Sequence, residues 1–333
     1  MEPIKAGKIG LTLGKYAPFH IGHKRLMDTA LSETDKLIVL VYEDSITSIP
    51  VHVRANWIRS VYEGENVEVI ECYNCPQEVG YTPEIKLMHE QYILKTLGNR
   101  TVTHFYSAEP YGEHVSKALN AADRRINREG DVSATRIRGD PYRYKDDVIA
   151  SAYADMIIKV VFLGAECTGK TTMAETMAEK YKTEFVPEYG AEYWFEHQKN
   201  GVLTPEQLAE IAKGHIDCEN EAVLLSDKYC FIDTNAMTTY MYALDYHGYA
   251  LPELIQAAHN CCNRYDVVFL CDDDIPYDDS RGRRGEETRS ISQKKIAEDL
   301  MERKIQFMRL RGDVETRVKA VERVLSNYVK YEG

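Results

Sequence analysis

The sequence predicts an α/β protein built from two doubly wound parallel-sheet domains, and three observations carry that prediction. Short apolar, β-branched runs alternate with stretches of helical period, the pattern of parallel α/β architecture. The pattern stops near residue 155 and starts again. In each half the first strand runs straight into a glycine-containing turn, GKYAPFHIGH at 14–23 and GAECTGKTT at 164–172. A chain of 333 residues has room for two domains of roughly 150 residues, and its 44% apolar content suffices for two cores.

Taken in order, KIGLTLG (8–14) reads as the first strand, followed by a turn and a helix from about Gly22 to Glu33. KLIVLVY (36–42), VEVIECY (67–73) and VTHFYS (102–107) read as three more strands with helices between them. IIKVVFLG (157–164) opens the second half, with TTMAETMAEKY (171–181) as the helix behind it. YCFIDTN (229–235) and YDVVFLCDDD (265–274) are further strands, each ending in acidic residues. The division that follows is 1–155 and 156–333, inside KDDVIASAYADM. No Pro/Gly/Ser linker separates the halves, so they are expected to pack against each other.

The net charge of −12 argues against a bulk nucleic-acid or anionic-membrane surface. No window approaches the ~20 apolar residues of a membrane span, and the N-terminus lacks a signal-peptide run. The eight cysteines therefore read as reduced thiols of a cytoplasmic protein. Cys72 and Cys75 form a CxxC with no second half, so ordinary loop cysteines are favoured over a zinc site.

GAECTGKT matches G-x-x-x-x-G-K-[ST] between a strand and a helix, the context that lets backbone N–H groups cradle phosphates. Gly164, Glu166, Thr168, Gly169, Lys170, Thr171 and Thr172 are the ATP-contacting candidates. Lys170 would reach the β- and γ-phosphates, and the Thr171 hydroxyl would ligate Mg2+. Asp233 in FIDTN sits at the carboxyl end of a strand, where it could hold the metal or accept the proton of an attacking hydroxyl. A helix N-cap is its other reading. The loop DDSRGRRGEETR (278–289) offers Arg281, Arg283, Arg284 and Arg289, either as a lid over the transferring phosphate or as a solvated charge-rich loop. The aspartate run 272–274 reads as a solvated strand end rather than a metal cluster.

His20 and His23 have no Asp, Glu or Cys at ligand spacing, so a metal site is disfavoured. Pro18 and Gly22 shape a tight strand-to-helix turn, where imidazole donors would face an anion over the helix N-terminus. SATRIR (133–138) supplies two hydroxyls and two guanidinium groups as partners. A triphosphate held between the two stretches can be split at its α-phosphate by positioning and charge neutralisation alone.

GKYAPFHIGH followed by S-x-T-x-x-R is similar to the nucleotidylyltransferase superfamily. SAEPYGEHVSKAL (107–119), DVSATRIRGDP (131–141), GAECTGKTT, VPEYGAEYW (186–194), FIDTN and YDVVFLCDDDIPYDDSR (265–281) then occur in the order found in the NadR family, which the chain resembles from Lys8 onward. Those proteins join a nicotinamide-mononucleotide (NMN) adenylyltransferase to a ribosylnicotinamide kinase. The resemblance implies a Rossmann-like HxGH domain followed by a P-loop kinase. It implies ATP as substrate in both, Mg2+ as cofactor, and nicotinamide riboside, NMN and NAD as the other small-molecule partners. No nucleic-acid or membrane partner is implied, and a homo-oligomer is compatible with the sequence. His20, His23, Arg138, Lys170 and Asp233 become the catalytic candidates. Gly14, Lys15, Tyr16, Ser133, Thr135 and Arg136 join the histidines and Arg138 around the first ATP. Glu109 and Tyr111 are NMN candidates. Trp57 in RANWIR is the candidate to stack on the nicotinamide ring, with a core position on its helix as the other reading. Glu188, Tyr189 and Asp233 are the riboside candidates, and Thr171 and Asp233 the metal candidates.

The chain departs from the family in three places. It opens at the first strand, without the helix-turn-helix of repressor members, and no DNA-binding role is expected. DTD becomes Asp233-Thr234-Asn235, and Ala191 stands where an Arg is expected. Two other readings therefore stay open: a kinase half that only binds or senses nucleotide, and an HxGH plus P-loop enzyme of coenzyme A synthesis or sulfate activation.

Overall fold

The computed structural model describes residues 7–127, 132–199, 201–278 and 285–331. Arg281, Arg283 and Arg284 of the arginine-rich loop lie outside the described residues. The chain divides into two compact units, one ending at Tyr153 and taking back Tyr331, the other spanning Ala154–Lys330.

The first unit runs β1 (Ile9–Gly14), α1 (Ile21–Glu33), β2 (Lys36–Tyr42), α2 (Val51–Val61), β3 (Val67–Cys72), α3 (Pro83–Leu97), β4 (His104–Ser107), α4 (Gly112–Ala118), β5 (Ala122–Arg125) and α5 (Ala134–Gly139), with α6 (Ala150–Met156) at the division. Its five strands are parallel in the order β3-β2-β1-β4-β5. A parallel sheet covered on both faces needs near-continuous apolar strands, and Leu37 through Val41 are all buried. Leu11, Ile38, Leu40 and Phe105 pack with Ile93 and Leu97 of α3 into its core. Cys72 and Cys75 belong to this core, and all eight cysteines are free thiols. The strand order reverses at β1, which opens a crevice at the carboxyl ends of β1 and β4, the place where open α/β sheets generally take their ligands.

The second unit runs β6 (Ile158–Leu163), α7 (Lys170–Tyr181), β7 (Phe185–Val186), α8 (Tyr189–His197), α9 (Pro205–Leu225), β8 (Tyr229–Asp233), α10 (Ala236–His247), α11 (Pro252–Asn260), β9 (Val267–Cys271), α12 (Glu286–Glu302), β10 (Met308–Leu310) and α13 (Val314–Leu325). Its strands are again all parallel, in the order β10-β9-β6-β8-β7. Phe162 of β6 lies between Phe231 and Phe269 of the neighbouring strands, with ring centroids 6.3 and 5.6 Å away. Met173 and Met177 of α7 and Val321 of α13 share that cluster.

One expectation is corrected here. The aspartate run is a solvated strand end only in part: Asp274 is exposed, but Asp272 is buried and paired with Arg309 at 2.6 Å and Arg311 at 2.5 Å. Asp274 accepts from Arg317 at 2.6 Å and from the Gly312 amide at 2.7 Å. The run ties β9 to the segment that follows β10. Among the described residues no helix is long and apolar enough to cross a membrane.

Candidate active sites

In the first unit a cavity of about 640 Å³ opens at the end of β1. Gly14, Lys15, Tyr16, His20, His23, Glu109, Tyr111, Ser133, Thr135 and Arg138 all line it. His20 is the N-cap of α1, its Nδ1 accepting from the amides of Gly22 at 3.1 Å and His23 at 3.4 Å. A nitrogen that accepts carries no proton, so the neutral ring holds its hydrogen on Nε2. The cap therefore fixes the tautomer, with the ring hydrogen on Nε2. A Cβ at Gly22 would meet the His20 ring at 3.1 Å, and the His20 and His23 rings stack with centroids 3.6 Å apart. Glycine and paired rings are thus one arrangement.

Arg138 of α5 donates to the Ala17 carbonyl at 2.7 Å and to Thr135 Oγ1 at 3.2 Å, tying SATRIR to the histidine turn. Lys15 pairs with Asp44 at 2.6 Å. Behind the turn, Arg54 is fully buried and donates to the carbonyls of Lys15, Tyr42 and Ile49. On the far side Arg125 of β5 grips the carbonyls of Glu109 and Pro110 and pairs with Asp123. Gly112 keeps that corner tight: a Cβ there would fall 2.2 Å from Ser107 Oγ. Burial pushes the Tyr111 phenol up to about 12, and its hydroxyl donates to the Leu13 carbonyl at 3.3 Å.

Two candidates are not brought to this cavity. Trp57 is buried on the core face of α2, its carbonyl accepting from Ser60 and Ser151, so the core reading holds. Arg136 turns outward over Tyr144, its guanidinium carbon 4.8 Å from the ring centroid. Lys86 and His89 of α3 and His114 of α4 line the cavity without having been anticipated. Lys86 and His89 stand three apart on one helical face, which is the only local signal for them.

In the second unit a larger cavity of about 960 Å³ opens at the P-loop. Gly164, Glu166, Lys170, Thr171, Glu188, Tyr189, Ala191 and Asp233 line it. Thr168 is buried, closing the loop through its hydroxyl on the Ala165 carbonyl at 2.8 Å, and Gly169 takes a left-handed φ of 82°. Thr172 is exposed in the first turn of α7, outside the lining. Lys170 Nζ rests on the Ala165 carbonyl at 3.0 Å. Thr171 Oγ1 donates to Asp233 Oδ2 at 2.5 Å, while the buried Asp233 Oδ1 has no hydrogen-bond partner. A buried carboxylate oxygen without a donor, beside a hydroxyl, fits a cation or a substrate hydroxyl. Among the described residues no cluster of three or more His, Cys, Asp or Glu gathers for a metal, so any ion here would lean on phosphate and water.

Burial pushes the Glu188 carboxyl above its ordinary value; Lys170 pulls it back and Asp233 pushes it further. Gly214 of α9 lets Tyr189 lie close, since a Cβ there would fall 2.5 Å from the ring. Tyr242 and Tyr246 of α10 stack at 5.8 Å and line the same cavity, with Trp194 of α8 also in its wall. Their i, i+4 spacing was the sequence signal for this aromatic wall. Asn235 is the N-cap of α10, its Oδ1 accepting from the Met237 amide at 3.0 Å.

Fold and cavities define a two-domain α/β protein in which a nucleotidylyltransferase-like domain precedes a P-loop domain. A Cytidylyltransferase-like family model matches residues 11–140, and an AAA domain model matches residues 159–317. The trifunctional NAD biosynthesis/regulator protein NadR of Escherichia coli (strain K12) is 28% identical, covering 92% of this chain and 80% of that protein. Its counterpart from Salmonella typhimurium is 26% identical over 93% of this chain and 80% of that one. A solved structure of NadR protein in complex with NR superposes with a TM-score of 0.60 at 22% identity, over 98% of each chain. The chain is a homologue of NadR.

Proposed function

We propose that this chain makes NAD in two ATP-dependent steps, one in each domain. The second domain phosphorylates nicotinamide riboside to NMN, and the first transfers adenylyl from a second ATP to NMN, releasing pyrophosphate. The observation that carries the proposal is the presence in one chain of two phosphate cradles, each at the carboxyl end of its sheet's first strand, each opening into a cavity with an acceptor wall. Two features of its relatives support the substrate class. The curated relatives are named for NAD biosynthesis, and solved NadR structures are described in complex with NR and with NAD and AMP-PNP.

In the kinase step the P-loop amides and Lys170 take the β- and γ-phosphates. The riboside hydroxyl attacks the γ-phosphorus, the bond from that phosphorus to the bridging oxygen breaks, ADP leaves, and the hydroxyl proton passes to Asp233 Oδ1, the carboxylate oxygen without a partner. The Thr171 hydroxyl and Asp233, the latter through water, are the groups that would hold Mg2+, which would supply charge neutralisation at the phosphates. The wall of Tyr189, Trp194, Tyr242 and Tyr246 gives a flat apolar surface for the pyridine ring.

In the adenylyl transfer the NMN phosphate oxygen attacks the α-phosphorus and pyrophosphate leaves. His20 Nε2–H, His23, Arg138, Thr135 and Ser133 hold the phosphates and meet the charge that develops on them. Glu109, its carbonyl held by Arg125, and Tyr111, its hydroxyl held by the Leu13 carbonyl, form the acceptor side. Site assignments, the 1–155 and 156–333 division of labour and a cytoplasmic location all belong to this proposal.

Incubating the chain with nicotinamide riboside, ATP and Mg2+ and resolving the products by chromatography tests both steps. Absence of NAD from supplied NMN overturns the transferase, and NAD from NMN but not from the riboside overturns the kinase. Turnover of dephospho-coenzyme A would instead favour a pantetheine-type substrate.

A further inference from the structure

A phosphate-binding turn can aim its N–H groups at an anion only if its carbonyls are satisfied elsewhere. In the second domain those carbonyls are taken from behind by two arginines that the proposed reaction does not use. Arg317 of α13 donates from Nη1 to the Thr168 carbonyl at 2.6 Å, and Arg289 of α12 from Nη1 to the Cys167 carbonyl at 3.4 Å. Gln293, one turn further along α12, accepts from the Ala165 amide at 2.8 Å and donates to the Cys271 carbonyl at 2.9 Å.

Arg317 is the centre of this arrangement. It is 2% exposed, and its remaining nitrogens reach the Gly312 carbonyl at 2.9 Å, the Asp272 carbonyl at 3.0 Å and Asp274 Oδ1 at 2.6 Å. One guanidinium thus joins the P-loop, the end of β9 and the turn before α13. Filling that space with an apolar side chain would avoid the desolvation cost of a buried cation, so packing alone does not call for an arginine. A lysine there has one nitrogen and could not span these carbonyls together. The first domain repeats the device, with buried Arg54 reaching the Lys15 carbonyl behind the histidine turn and the Tyr42 carbonyl at the neighbouring strand's end.

We propose that Arg317 is the positioning residue of the triphosphate site in the second domain. By holding the Thr168 carbonyl away from the cavity, it keeps the amides of the Gly169–Thr171 turn aimed at the phosphates of the donor nucleotide. The proposal rests on reading that cavity as an ATP site.

The test compares Arg317→Met and Arg317→Lys with the parent chain for riboside phosphorylation, varying ATP and riboside separately. Adenylyl transfer on the same samples serves as the activity reference from the other domain, and the thermal melt of each variant reports folding. Arg317→Met is expected to raise the KM for ATP at least about tenfold while the riboside KM stays within about twofold. Arg317→Lys is expected to recover part of the loss. An ATP KM within about twofold of the parent, or equal rises for both substrates, overturns the assignment. If the Met variant loses adenylyl transfer as well, the same comparison is read on the Lys variant alone. If the parent phosphorylates no riboside, the reading of the cavity fails, and Arg317 is judged by AMP-PNP binding with Lys170→Ala as the blank for this site. Weaker binding by Arg317→Met then supports the proposal, and parental binding overturns it.

Discussion

The Thr171 hydroxyl donates to Asp233 Oδ2 at 2.5 Å, joining the first turn of α7 to the end of β8 across the second cavity. The bond occupies one carboxylate oxygen and leaves Oδ1 buried without a donor. Asp233→Asn keeps an oxygen for Thr171 but removes the charge and the proton acceptor. Riboside phosphorylation is expected to fall by on the order of 10²–10⁴-fold, the usual worth of a positioned base. NAD formation from supplied NMN should be unchanged, measured on the same preparation. An Asn variant with parental phosphorylation would remove Asp233 from the mechanism.

In the proposed reaction His20 has two roles, capping α1 through Nδ1 and serving the phosphates from the lining of the first cavity, and two substitutions separate them. His20→Asn restores a good cap acceptor without the ring donor. His20→Ala removes both and should cost about 1 kcal/mol of stability, the typical worth of an N-cap. Both variants are expected to lose adenylyl transfer while keeping riboside phosphorylation, but only Ala should lower the melting temperature. Full adenylyl transfer in His20→Asn would leave the histidine as a cap and nothing more.

That double role marks the limit of what a linear reading reaches. The strands with apolar runs were legible to within three residues, KLIVLVY being β2 itself, because burial on both faces of a parallel sheet writes itself into composition. β5 was not, since its ADRR is wholly exposed at the sheet edge, and β7 and β10 have two and three residues, too few for any period. The long helix α9 carries a readable start, Thr204-Pro205 closed by Gln207 in a capping box. In the sites, motif residues contiguous with a glycine turn were recoverable, whereas Lys86, His89, His114 and the tyrosines of α10 arrive from other elements. The buried arginines 54, 289 and 317 were invisible as supports, because a charge count cannot distinguish a guanidinium facing solvent from one folded onto carbonyls. Trp57 shows the converse, an aromatic in a suggestive stretch that simply fills the core.

Asn235, which stands where the sequence resemblance leads one to expect an acid, caps α10 and is 1% exposed. Asn and Asp are equally good N-caps, so the change leaves the helix start intact and lies outside the lining of the cavity. Asn235→Asp is therefore expected to change riboside phosphorylation by less than about threefold, measured as kcat/KM. A much larger gain would favour the reading in which this half senses nucleotide without turning it over.

Glu188 gives the second domain a pH signature whose sign follows from its surroundings. Burial raises its pKa above the ordinary 4.5, with Lys170 and His215 opposing and Asp233 and Glu166 reinforcing. A carboxyl that holds its proton more tightly when folded contributes stability that is complete below pH 4.5 and is lost as pH rises through the folded value. Glu188→Gln keeps the shape and removes the titration. The melting temperature of the Gln variant relative to the parent should therefore climb as the pH is raised above 4.5, measured by calorimetry without nucleotide. Its KM for riboside should rise at the same time, because the group that destabilises the empty fold is the one offered to the substrate. A melting-temperature difference that is flat with pH would mean that Glu188 is solvated, and its place in the riboside wall would fall with it.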